Sequence, residues 1–372
     1  MKKKTILIPT IRDDIHAAAV AILMESIGHR PIRWFCSDYP ERSTSSFAIS
    51  SSKPSSVEFH DYFGDVALDE IDIFWNRRVG APIYKSFIAE CDKDMATEET
   101  NRFVAGVLST VSNRVFSVND YHAARNAENK LAQLACARTV GLTIPDTLIT
   151  NDPQKIRHFI TSHLSNGVIY KPFKPAIWES DGNVAIVYTS TVQLDDLPED
   201  EVLKLSPAIF QEQVPKTYEL RVTCMGHEVV TAQLNSQATT TGRVDWRMAS
   251  EKEMCIERVT IPKTIEHKCR AMLDSLGLVF GCFDFVVTPS GEYVFLEVNQ
   301  MGQFLWIEDV NPEIPLLQMF CDFLISGNGK FVYSKKKSWL SFSDIRNAAE
   351  KMIYADRDIH PQAERFPHSY RE

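Results

Sequence analysis

The sequence predicts an α/β unit followed by two α+β lobes with facing sheets, and three observations carry that reading. Thr5 to Pro9, the helical pattern from Ile15 to Ile27 and Pro31 to Phe35 alternate as strand, helix and strand, with Gly28 stopping the helix. Beyond residue 120, helices flank strands of the antiparallel kind, first over 120–206 and again over 207–330. Phe280 to Asn299 then reads as one β-hairpin turned at Ser290-Gly291. A chain of 372 residues, 44% of them hydrophobic, is long enough to bury two or three such units.

In the first unit, 1–119, Asp72 to Trp75 adds a buried-type strand that runs into Asn76-Arg77-Arg78, a helix is expected from about Glu98 to Leu108, and Val115 to Val118 closes the sheet. The serine-rich stretch Ser43 to Ser56 reads as loop or poorly paired edge strands. The central lobe, 120–206, opens with one helix from Ala123 to Val140, stopped by Gly141 and Pro145. Strand Thr147 to Ile149, helix Pro153 to His163, strand Val168 to Phe173 and strand Ala185 to Thr189 follow. The next lobe, 207–330, holds strands Ala208 to Val214, Leu220 to Met225 and Val229 to Leu234, helix Ile265 to Leu276, the hairpin and helix Pro315 to Ile325. A tail, 331–372, carries a basic run and one helix, Ser343 to Tyr354.

Composition excludes several classes. No apolar run approaches the ~20 residues that span a bilayer, and Met1-Lys2-Lys3-Lys4 leads into a strand, not a signal peptide. The eight cysteines show no Cys-x-x-Cys spacing, which speaks against a zinc site or disulfide framework and for a reducing cytoplasm. A net charge of -9 disfavours nucleic acid as a partner. The histidines, His16, His122 and His158 among them, lack ligand spacing and read as surface or capping residues.

The hairpin carries the chemistry. With a two-residue turn, Asp284 lies opposite Glu297, while Phe283/Val298, Phe285/Leu296 and Val287/Val294 pair on the other face. Like charges opposed in a sheet repel, so a cation is expected between them. Asp284, Glu297 and Asn299 supply three oxygens that suit Mg²⁺, which keeps its other octahedral positions for water and nucleotide phosphates. The alternative is a solvated acidic face on an amphipathic hairpin.

Lys130 in a helix, Lys171 at a strand end, Gln211-Glu212-Gln213-Val214, Glu219 with Arg221, and Asp284 with Glu297-x-Asn299 together resemble the ATP-grasp ligases over residues 120 to 326. Asn76-Arg77-Arg78, Asp245-Trp246-Arg247 and the run Phe295 to Glu308 narrow the resemblance to the microviridin-type ribosomal-peptide maturases, or graspetide synthetases. The glycine-rich phosphate loop common in the superfamily is represented only by Gly182 between Lys174 and Asn183. The resemblance implies an ATP-grasp fold, two α+β lobes sandwiching ATP, preceded by a Rossmann-like domain.

It also implies roles. Lys130 and Lys171 would meet α- and β-phosphate oxygens as point charges. Backbone groups of Gln211, Glu212 and Val214 would meet adenine, and Glu219 the ribose hydroxyls. Arg221, two residues along the same strand and therefore on the same face, and Arg247 would hold the transferred phosphoryl group and the acyl phosphate; a surface Glu–Arg pair and an arginine stacked on Trp246 are the alternatives. Asp195, Asp196 and Glu199 are the local candidates for binding a helical leader, against a solvated loop.

The expected activity is ATP-dependent macrocyclisation of a precursor peptide in a cytoplasmic homodimer: an Asp or Glu side chain is activated as an acyl phosphate and attacked by a Ser or Thr hydroxyl or a Lys amine. One rival is an ATP-grasp ligase adding an amino acid to a protein terminus or a small acid. The other is a nucleotide-gated peptide-binding protein without turnover.

Overall fold

The computed structural model describes residues 2–52, 56–61, 64–83, 88–173, 176–180, 183–187, 189–235, 237, 255–334 and 339–362. The chain opens with β1 (Thr5–Thr10), α1 (Ile15–Ser26) and β2 (Arg30–Phe35), the two strands pairing in parallel. Asp14 caps α1 by accepting the N–H groups of His16 and Ala17. This helix is apolar almost all round because it is buried among other elements and has no solvent face.

The serine-rich stretch Ser43 to Ser56 supplies β3 (Thr44–Ala48), which pairs with β4 (Ser56–Asp61) and, through it, β5 (Gly64–Ala67) in a three-stranded antiparallel sheet. Next come β6 (Ile73–Trp75), α2 (Glu90–Arg114) and β7 (Phe116–Val118), which complete a parallel sheet of order β2-β1-β6-β7. Helix α2 begins eight residues before the expected Glu98, in a polar segment without hydrophobic periodicity where Glu90 and Asp92 favour the N-terminal turn.

The single helix expected over 123–140 is two, α3 (Tyr121–Ala127) and α4 (Lys130–Thr139). Asn129 breaks it, its side chain accepting the N–H groups of Leu131 and Ala132 as an N-cap. Then follow β8 (Thr147–Thr150), α5 (Pro153–Ser162), β9 (Val168–Lys171), the hairpin β10 (Ala176–Ser180) and β11 (Asn183–Val187), β12 (Ser190–Val192), α6 (Asp200–Leu203) and β13 (Ala208–Glu212). The strand expected over 185–189 is thus displaced toward β11, and Gly182 lies outside the described residues. Strand β13, read from sequence as the start of the next lobe, sits between β9 and β8 in a four-stranded antiparallel sheet, β12-β9-β13-β8.

The last lobe is a five-stranded antiparallel sheet, ordered β16-β15-β14-β17-β18, from β14 (Tyr218–Met225), β15 (Glu228–Leu234), β16 (Ile256–Val259), β17 (Phe280–Val287) and β18 (Tyr293–Asn299). Helices α7 (Lys263–Leu276), α8 (Leu305–Val310), α9 (Leu316–Ser326) and α10 (Phe342–Ile359) accompany it. One face packs Leu220, Val222, Phe283 and Phe285 with Met272 and Leu273 of α7. The largest core cluster joins the first unit, this lobe and the tail: Val20, Trp75, Phe280, Phe320 and Ile345 all belong to it. Trp75 lies 4.8 Å, centroid to centroid, from Phe320 of α9, which seats the parallel sheet on the C-terminal helices.

The β17–β18 register corrects the expected hairpin in two places that cancel. The turn holds three residues, with Thr288 N donating to Glu292 O (3.0 Å) and Gly291 at φ +81°. Phe285 therefore faces Phe295, Val286 faces Val294 and Val287 faces Tyr293, so the expected Phe285/Leu296 and Val287/Val294 pairs do not form. An irregularity after Asp284 then absorbs Leu296 as a bulge and restores Asp284 opposite Glu297 and Phe283 opposite Val298.

Candidate active site

Antiparallel register places Arg221 of β14 opposite Asp284 of β17, and Asp284 opposite Glu297 of β18. A cation and two carboxylates thus stand in one row across three strands, with Asn299 two residues beyond Glu297 on the same face. Among the described contacts each carboxylate is met by a basic side chain. Arg221 Nη1 lies 2.8 Å from both Asp284 oxygens, and Lys130 Nζ lies 2.7 Å from Glu297 Oε2.

The two pairs differ in kind. Arg221 and Asp284 have side chains 4% and 13% exposed, and breaking a pair so buried costs about 3–5 kcal/mol. Burial opposes the Arg221 charge, yet Asp284 outweighs it and holds the guanidinium pKa above its ordinary value. Lys130 and Glu297 are 26% and 34% exposed, where a pair contributes at most about 1 kcal/mol. Lys130 is therefore the exchangeable cation. Its helix is pinned by Gln133, which donates to the Val298 carbonyl (2.9 Å) and accepts the Val298 N–H (2.9 Å).

Around Asn299 the backbone is tightly held. Its Oδ1 accepts the Met301 N–H (3.1 Å), and Arg221 Nη2 donates to the Gly302 carbonyl (2.9 Å). Further along β14, Glu219 is 5% exposed and pairs with Lys216 at 2.6 Å. In the four-stranded sheet, Lys171 Nζ donates to Gln211 Oε1 (2.6 Å), and Gln211 Nε2 to Thr147 Oγ1 (2.9 Å). The N–H groups of Glu212 and Gln213 are taken by the carbonyls of Asp146 and Gly167.

Beside this strand, Asp146, His163 and Glu212 bring three potential ligand atoms within 4.8 Å. His163 ties the cluster together: Nδ1 lies 2.9 Å from the Phe159 carbonyl and Nε2 3.2 Å from Asp146, and its pKa is raised, first by the Phe159 carbonyl.

The candidate residues fall into two groups. Lys130, Arg221, Asp284, Glu297 and Asn299 converge on the five-stranded sheet with Glu219 along β14, and Lys171 meets Gln211 on the other sheet. Arg247, with the whole Asp245-Trp246-Arg247 run, lies outside the described residues. Asp195, Asp196 and Glu199 are exposed, and no described contact joins them to either group; Asp196 accepts the Gln193 N–H (2.8 Å). Asp196, Leu197 and Pro198 border a cavity of about 350 Å³ backed by Ile156, Tyr170 and Phe210.

Sequence reading passed over several residues. Lys216 had only its three-residue spacing to Glu219 as a signal. Gln133 and Asn119 are polar residues whose roles depend on backbone distant in sequence. His16, read as a surface or capping residue, is buried (7% exposed), and its Nε2 accepts the N–H groups of Phe304 (2.9 Å) and Leu305 (3.2 Å). It does cap, but at a helix 288 residues away.

Two lobes, one carrying a Glu–Arg strand beside an Asp…Glu-x-Asn hairpin and the other two strand-borne polar contacts, define an ATP-grasp ligase fold. No protein-family model and no curated protein sequence matches the chain, and the likeness is carried by solved structures. The chain is similar to a Chryseobacterium gregarium RiPP-associated ATP-grasp ligase solved with ADP and a leader and core peptide: TM-score 0.79, 26% identity, 88% of this chain and 97% of that one. It is also similar to the macrocyclase MdnC from Microcystis aeruginosa, solved with the precursor peptide MdnA: TM-score 0.76, 27% identity, 87% and 99% covered. The macrocyclase MdnB from the same organism gives 0.72 and 28%, over 87% and 99%. Among ATP-grasp ligases, the chain is thus similar to RiPP-associated ligases and macrocyclases.

Proposed function

We propose that the chain is an ATP-dependent macrocyclase of a ribosomally made precursor peptide. The observation that carries this reading is the Arg221–Asp284–Glu297 row with Lys130 against Glu297, in a fold shared over 88% of the chain with a peptide-modifying ATP-grasp ligase. A peptide Asp or Glu side chain is activated as an acyl phosphate, and a Ser or Thr hydroxyl or a Lys amine of the same peptide attacks it to give an ester or amide ring.

The donor set fits magnesium: two carboxylates and an amide oxygen, all hard, two of them opposed on neighbouring strands. Asp284, Glu297 and Asn299 would hold the ion, which supplies charge neutralisation to the phosphates. Lys130 would leave Glu297 for a phosphate oxygen as the ion takes its place, a cheap exchange because the pair is half-solvated. Arg221 would stay paired with Asp284 while facing the transferred phosphoryl group. Lys171 would turn from Gln211 to phosphate, Val214 and the carbonyls of 211–212 would face adenine, and Glu219 the ribose. Arg247 belongs to the acyl-phosphate side in this reading.

Asp195, Asp196 and Glu199 beside the cavity of about 350 Å³ form the proposed leader contact, acidic at the rim and apolar at the floor. A cytoplasmic homodimer completes the proposal; no helix among the described residues is long and apolar enough to cross a membrane.

The test is a search of the neighbouring reading frames for a short Thr- and Asp/Glu-rich peptide, followed by incubation of that peptide with the chain, ATP and Mg²⁺. Peptide-dependent ADP release with loss of one water mass per link is expected. A gain of an amino-acid mass would transfer the reading to a terminus-modifying ligase, and nucleotide binding without ADP release would leave a gated binding protein.

A further inference from the structure

Backbone polar groups of 300–305, the segment immediately after the proposed ligand Asn299, are held by side chains from elsewhere in the chain, most of them from the first α/β unit. Asn119 Nδ2 donates to the Gln300 carbonyl (2.8 Å) and to the Phe280 carbonyl (2.9 Å). Arg77 Nη1 donates to the Met301 carbonyl (2.8 Å). Arg221 donates to the Gly302 carbonyl, and His16 accepts from Phe304 and Leu305.

Arg77 has a fully buried side chain, paired with Asp14 through Nε at 2.9 Å and Nη2 at 3.1 Å. Burial opposes the Asp14 charge, but Arg77 and then Arg78 outweigh it and hold the carboxyl well below its usual range. Asp14 also caps α1, so the fork of Arg77 is fixed to the end of a buried helix.

The held backbone is strained. Gly302 and Gln303 both have φ of +80°, and Gln303 is the one described non-glycine residue with positive φ. A Cβ at Gly302 would come within 2.7 Å of the Phe280 ring. Such conformations cost on the order of 1–3 kcal/mol each for non-glycine residues and persist only where the surroundings over-determine them, commonly at ligand clamps.

We propose that Arg77, oriented by Asp14, is a positioning residue through which the first α/β unit, with His16 and Asn119, sets the 299–305 backbone and so aims Asn299 and Arg221 at the metal–phosphate site. Its fork reaches Asp14 and the Met301 carbonyl at once, which a lysine cannot do with the same geometry. The first unit is then part of the active site without touching substrate. This rests on the metal assignment made above.

The test uses calorimetric titration of the full chain with ADP, with and without Mg²⁺. Arg77→Lys keeps a charge beside Asp14 and so preserves folding, while the neutral pair Asp14→Asn/Arg77→Gln removes both charges together. In both, the Mg²⁺ concentration for half-maximal enhancement of ADP binding is expected to rise about tenfold, with affinity for ADP alone unchanged, as for other residues that orient metal ligands. A wild-type magnesium dependence in both folded variants overturns the inference, as does an equal loss of ADP affinity without metal. Absence of any magnesium effect in the unaltered chain would instead sink the metal assignment.

Discussion

In the five-stranded sheet Glu219, Arg221 and Asp284 are buried and Glu297 and Asn299 half-buried, whereas in the four-stranded sheet Gln211 is buried, Lys171 and Glu212 are half-buried and the acids at 195, 196 and 199 are exposed. The cores beneath them differ in the same sense. Behind Arg221 lie Phe283, Phe285, Phe295 and the α7 residues of a large cluster, but among the described residues the central lobe's buried cluster is Ile156, Ile160, Val168 and Phe210. Regions with few buried apolar contacts open at lower free energy and supply the moving parts of enzymes. On the proposed reading, the metal end of the site would be built in advance and the phosphate and peptide end completed on binding.

Asp284→Asn should break that contrast most severely. It leaves Arg221 buried without its carboxylate, and denaturant unfolding should show a loss of about 3–5 kcal/mol, together with loss of magnesium-dependent nucleotide binding. Hydrogen exchange in the unaltered chain sharpens the same point: amides of β9, β12 and β13 should exchange well before those of β14 and β17. Equal protection in both sheets would contradict the comparison.

Lys130→Met separates the roles of the two cations. Stability should change by less than about 1 kcal/mol, since the Lys130–Glu297 pair is partly solvated, while the KM for ATP should rise roughly tenfold. A stability loss like that of Asp284→Asn would show that Lys130 is structural.

The buried junction with the first unit adds a pH dependence. Burial, and then the neighbouring Arg77, hold the His16 pKa well below its ordinary 6.5, so folded His16 is neutral. As pH falls below that ordinary value the unfolded chain binds a proton that the native one does not. This group's stabilisation, full above 6.5, therefore falls by about 1.4 kcal/mol per pH unit until the depressed native pKa is reached. Melts of the unaltered chain against His16→Gln, compared between neutral pH and pH near 5.5, should lose that difference in slope. The smallest effect is expected at the exposed rim: neutralising Asp195 and Asp196 should weaken leader-peptide binding a few-fold, about 1 kcal/mol, by fluorescence anisotropy. Unchanged affinity would remove those residues from the leader contact.

The sequence by itself determined the chemistry-bearing pattern: alternation put Glu219 with Arg221 on one strand face, and spacing brought Asp284 opposite Glu297 even though the turn was one residue longer than expected and a bulge at Leu296 made up the difference. It also determined the order of the longer elements, though not the short strands β10, β12 and β16, because hydrophobic period, caps and turn residues are local. It did not reveal the break at Asn129, whose capping is a choice between equally helical neighbours, nor the polar start of α2, which has no apolar stripe. Only the tertiary structure decided that His16, Arg77, Asn119 and Gln133 bond backbone groups more than 160 residues away. Such bonds leave no periodicity, since a buried donor needs only one acceptor in reach and the fold, not the neighbouring sequence, supplies it.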